Sequence, residues 1–162
     1  MTLFAVLGAL TFGAKYVMSF LPNIEPVSLM VMLFAVVFGK KWVYPVYLYV
    51  VLEILFYGIS LWNINYLYIW AILAVAAYFL RNMRSPLGWA VLSGGFGLAF
   101  GALCGIVDVF IGGFGYAVSK WISGIPFDIA HCAGNFVIAL VLFKPLRELM
   151  EKLYRRIGGT IA

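Results

Sequence analysis

Asp128, His131 and Asn135 stand at i, i+3 and i+7 in a stretch, Ile125–Phe143, that is otherwise apolar. A helix puts residues at that spacing on one face, leaving Phe127, Val137, Ile138 and Val141 to cover the others. A carboxylate, an imidazole and an amide side by side can hydrogen-bond the polar edge of a small molecule. Lys15 and Glu53 are ionisable groups inside two further apolar runs. In lipid each such group costs roughly 2.5–3.5 kcal/mol unless it faces a bundle interior or water, so all five residues are candidates to line a cavity. Simpler roles compete. Asp128 could cap a helix after Pro126, His131 and Asn135 could bond neighbouring helices, and Lys15 could pair with Glu53 as a structural ion pair. Trp62, Asn63, Asn65, Tyr66, Tyr68 and Trp121 add aromatic faces and amides suited to a flat, polar-edged ligand, although aromatic residues also gather as an interfacial belt.

Catalytic signatures are missing. The chain has no H-E-x-x-H, no Walker A loop and no G-x-S-x-G, and its one histidine and two cysteines have no zinc-ligand spacing. Neither an enzyme, a metal site nor a cofactor is expected. A haem held by His131 through a single axial bond is the exception kept open. Cys104 and Cys132 fall in apolar stretches and read as buried thiols.

The elements that must position these groups follow from composition. Of 162 residues, 65% are hydrophobic and 10% charged, and the mean hydropathy is +1.07, far from a water-soluble domain. An all-α membrane protein is expected, because only helices and closed barrels satisfy their backbones in lipid. Six apolar segments can be marked: 2–21, 27–39, 42–58, 66–80, 87–107 and 125–143. The breakers between them include Pro22 and Pro26, Gly39-Lys40-Lys41, Trp62-Asn63-Ile64-Asn65, Arg81 to Pro86, and Gly112-Gly113 onward. Nine of the eleven basic residues fall on alternate connections or in the tail, which makes those cytoplasmic and places both termini inside. Lys15, Glu53, Asp128, His131 and Asn135 then belong to the outer half. Residues 1–143 form the six-helix domain, and 144–162 a basic tail helix at the inner surface. The net charge of +5 is accounted for by this topology, so nucleic-acid binding gains no support. No cleavable signal peptide is evident in the first segment.

Two stripes of small residues, Ala5/Ala9/Gly13 and Gly97/Gly101/Gly105, would permit close approach of another helix. With these in place the sequence resembles a substrate-binding S component of an energy-coupling factor (ECF) vitamin transporter. The resemblance rests on Ala5-x-x-x-Ala9, similar to that family's docking motif, on Pro22-Asn23-Ile24-Glu25-Pro26, and on Gly124-Ile125-Pro126-Phe127-Asp128-Ile129-Ala130-His131 leading to Asn135 and Phe143-Lys144-Pro145-Leu146. It implies a multi-pass receptor in a bacterial plasma membrane that captures a vitamin or related micronutrient outside. Delivery would require a transmembrane coupling subunit and two ATP-binding subunits. It further implies docking of the coupling subunit on Ala5, Ala9 and Gly13, and a first outer loop that gates the pocket, adding Asn23 and Glu25 to the ligand contacts. A scaffold related to rod-shape-determining membrane proteins is the rival, and such a scaffold needs no polar pocket.

Overall fold

The computed structural model describes residues 2–20 and 24–161, and every regular element among them is helical. The elements are α1 (Thr2–Val17), α2 (Val27–Phe38), a 3₁₀ turn (Gly39–Trp42), α3 (Val43–Tyr57), α4 (Leu61–Phe79) and α5 (Pro86–Arg156). Helix α5 has two arms, 86–112 and 114–156, because Gly113 interrupts it at φ 81°, ψ 176°. That backbone region is open in practice only to glycine, so the residue type sets the place of the bend.

Helix α2 is the axis of the bundle. Eleven of its twelve residues are buried, and it packs against α4 and α5 with α1 along its edge. Helix α1 lies parallel to α3, as Phe4 stacks on Tyr44, Phe12 meets Phe56, and a Cβ on Gly8 would come within 2.8 Å of Pro45 O. The two arms of α5 are drawn together at Gly94, Gly97 and Gly101. A Cβ on Gly97 would stand 2.8 Å from the His131 carbonyl, so the second glycine stripe packs within the chain. Gly105, at the end of that stripe, meets nothing.

The molecule has two unlike ends. At one, Lys15 meets Glu53 and Lys120 meets Asp108. At the other, Phe38 abuts Tyr154 and Arg147 donates to Met83 O, which collects nine of the eleven basic residues there. Large apolar side chains such as Leu10, Leu55, Val75, Val91, Ile129 and Val141 are exposed on the flanks. Val27–Tyr57, Leu61–Phe79 and Pro86–Arg156 are long and apolar enough to cross a membrane. An apolar flank of this extent fits a lipid environment.

Three sequence-based boundaries are corrected. Trp62 to Asn65 do not break the chain but form the first turn of α4. Ser60 begins that helix, and Asn63 Oδ1 accepts from its backbone N–H in a capping box. The connection expected over 108–124 shrinks to Gly113, since both arms of α5 continue as helix to either side of it. Asp128 therefore lies well inside a helix and does not cap one. The second arm also runs on through Pro145 to Arg156, so no break marks residue 144. Tyr154 is tucked against Phe38, with Leu146 and Met150 packed on the core.

Candidate binding cavity

Lys15 is carried by the last turn of α1 and Glu53 by the second half of α3, and because these helices run parallel the two side chains meet. Lys15 Nζ lies 2.8 Å from Glu53 Oε2 and 3.2 Å from the Tyr66 hydroxyl, and it stands 5.0 Å from the Tyr66 ring centroid. Across the bundle, Lys120 Nζ lies 2.6 Å from Asp108 Oδ1 and 5.9 Å from the Trp62 ring centroid. Between these pairs opens a cavity of about 720 Å³.

The second arm of α5 supplies the deepest wall. Asp128 Oδ1 accepts from the Gly101 N–H at 3.0 Å, a contact that exists because Gly101 has no side chain to hold the arms apart. One turn further, His131 sets its ring edge-on to Phe100 with centroids 4.9 Å apart. Glu53, Asp128 and His131 are only 5%, 6% and 3% exposed, yet among the described residues Glu53 Oε1, Asp128 Oδ2 and His131 Nε2 have no hydrogen-bond partner. A buried polar atom without a partner costs about 1–3 kcal/mol, and three of them belong to residues around one cavity, where a bound molecule can make up the deficit.

Of the residues singled out by sequence, Lys15, Glu25, Glu53, Trp62, Asn63, Tyr66, Trp121, Asp128 and His131 line this cavity. Asn23 lies outside the described residues. Asn65 does not reach the cavity, because its Oδ1 lies 2.9 Å from the Tyr68 hydroxyl, which also reaches Leu103 O and ties α4 to α5. Asn135 is also elsewhere: its amide donates to Ser28 Oγ at 2.9 Å and to Ser93 O at 3.3 Å, joining α2 to both arms of α5. The shared face holds, but Asn135 sits one turn deeper, where that face meets protein. The Lys15–Glu53 alternative resolves as a direct pair on the cavity wall. Glu25, on the connection before α2, has its carboxyl pushed above the ordinary range by burial, opposed by Lys15 and reinforced by Glu53.

Sequence reading left out Phe100, Gly101, Cys104, Asp108 and Lys120 as site residues, and all five line the cavity. Gly101, Cys104 and Asp108 stand at i, i+3 and i+7, the same one-face spacing that drew attention to Asp128, so the signal was present.

No family model matches the chain, and neither curated proteins nor solved structures give a match. The arrangement itself must therefore carry the reading. Among the described residues, no three His, Cys, Asp or Glu side chains converge on a possible metal position. Buried acceptors, two held ammonium groups and aromatic walls are instead suited to holding an organic molecule.

On the outer face of α1, Ala5 and Ala9 are exposed and Gly13 has open space at its Cβ position, whereas Gly8 and Thr11 face inward. Among the described residues, nothing covers Ala5 and Ala9.

Proposed function

We propose that this protein is the substrate-binding S component of an ECF-type importer, crossing a plasma membrane six times with both termini inside. It captures a vitamin-like small molecule in the cavity at the outer face. It then passes the molecule on with a transmembrane coupling subunit and two ATP-binding subunits. The observation that supports this best is the cavity between the two ion pairs, with its three buried polar atoms left unpartnered. A membrane scaffold has no use for such a site, since each unpartnered atom lowers its stability. The uncovered face at Ala5, Ala9 and Gly13 supports docking of a partner helix, which in lipid depends on close van der Waals packing. The gathering of nine basic residues at the opposite end supports the orientation.

The test is to purify the full chain after expression, denature it, and identify released small molecules by mass spectrometry. A stoichiometric organic compound is expected, and adding it back should raise the melting temperature. Release of lipid alone, together with no uptake when the coupling and ATP-binding subunits are co-expressed, would overturn the proposal.

A further inference from the structure

The charges on the cavity wall are unbalanced and already partly committed. Four carboxylates, Glu25, Glu53, Asp108 and Asp128, face two ammonium groups, Lys15 and Lys120. Each ammonium group is held by a carboxylate, at 2.8 Å and 2.6 Å. An anionic ligand would have to share an ammonium group with Glu53 or Asp108, both about nineteen-twentieths buried, and would lie against the negative charge of that carboxylate. The atoms that remain unpartnered have the opposite requirement. Glu53 Oε1 and Asp128 Oδ2 are carboxylate oxygens, which accept hydrogen bonds and donate none. His131 Nε2 can take either role, according to its tautomer. Phe100, Tyr66 and Trp121 also line the cavity, and aromatic rings attract positive charge to their faces, as Lys15 over the Tyr66 ring already shows.

We infer that the cavity selects a flat aromatic molecule bearing a cationic nitrogen donor, which pairs with the Asp128 carboxylate, and that it discriminates against carboxylates and phosphates. This rests on the cavity being a binding site at all. Gly101 holds this carboxylate in place, because its N–H donates to Asp128 Oδ1 and the absence of a side chain lets Oδ2 lie against it as well.

Three probes of one size and ring separate the possibilities: benzamidine, benzamide and benzoate, which are positive, neutral and negative. Their binding to the purified full chain is followed by thermal shift and by the fluorescence of Trp62 and Trp121. Benzamidine is expected to bind about tenfold or more tightly than benzoate, since a charge-assisted hydrogen bond is being compared with a repulsion. Asp128→Asn should lower that ratio severalfold, chiefly by weakening benzamidine. Should Asp128→Asn prove unstable, Glu53→Gln supplies the second measurement and should lower the same ratio. Benzoate binding as tightly as benzamidine would overturn the inference and leave the cavity a binding site. Binding of none of the three up to about 10 mM would also overturn the inference, while the proposed function stands or falls with the compound released from the purified chain.

Discussion

Asn135 and His131 are four residues apart on one helix face, yet replacing them should have different consequences. Asn135→Ala removes a buried donor from Ser28 and Ser93 and should lower the stability of the unliganded protein by about 1–3 kcal/mol, read as a fall in melting temperature. His131→Ala removes an atom with no protein partner, so melting should change less while the affinity for the co-purified ligand falls by about 1–3 kcal/mol. Equal loss of folding and binding in both variants would contradict this division. Glu25 gives a pH prediction. Its carboxyl binds a proton more tightly folded than unfolded, so the folded state loses stability as pH rises past the unfolded value. Glu25→Gln should therefore raise the melting temperature of the unliganded chain near pH 7 and have little effect near pH 4, where the carboxyl is largely protonated in both states. The sequence disclosed Glu53, Asp128 and His131 because ionisable groups stand out against apolar neighbours. Asp108 and Lys120 fall in the stretch 108–124 read as a connection; Asp108 keeps the helical spacing of Gly101 and Cys104, but the glycines at 112 and 113 hid the continuation of the helix to Lys120.

Single-residue spacing along an element decides what that element tolerates. In the first arm of α5, Gly97→Ala places a methyl group against the His131 backbone, which cannot rotate away, and should cost stability. Gly105→Ala fills open space and should be neutral or stabilising. Thermal melting of the two variants checks this directly. Helix α1 offers a second contrast. Gly8→Leu should disrupt the contact with Pro45 and Leu48 and impair folding, whereas Ala9→Trp projects from the exposed face. Ala9→Trp should therefore leave ligand binding by the isolated chain intact while abolishing co-purification with the coupling subunit and uptake. Normal assembly and transport by Ala9→Trp would remove docking from this face. The positions of α1, α2 and α3 were legible because apolar runs end in prolines and in glycine followed by lysines. The start of α4 was not, since Trp62 to Asn65 look like a polar interruption until Ser60 and Asn63 are seen to close a cap.

Across the whole molecule, the separation of ion pairs at one end from basic residues at the other predicts opposite accessibility. A cysteine in place of Lys152 should react with a membrane-impermeant maleimide only after the cells are opened, and one in place of Lys120 should react in intact cells. The reverse pattern would invert the proposed orientation. The enclosure of α2 has a consequence for how the protein comes to be made. This helix is synthesised before α3, α4 and both arms of α5, so during insertion its side chains are solvated by lipid tails. Lipid is as apolar as the interior that later replaces it, and hydrophobicity alone gives α2 no reason to leave. Its capture must depend on steric fit and on the bonds from Asn135 to Ser28 and Ser93, which bring three strangers in the sequence to one point. Swapping one α2 residue for another of equal greasiness but different shape should thus slow or misdirect assembly, seen as a larger protease-sensitive fraction after synthesis into vesicles. The same exchange at Val51 or Val75 on the lipid-facing flank should leave that fraction unchanged.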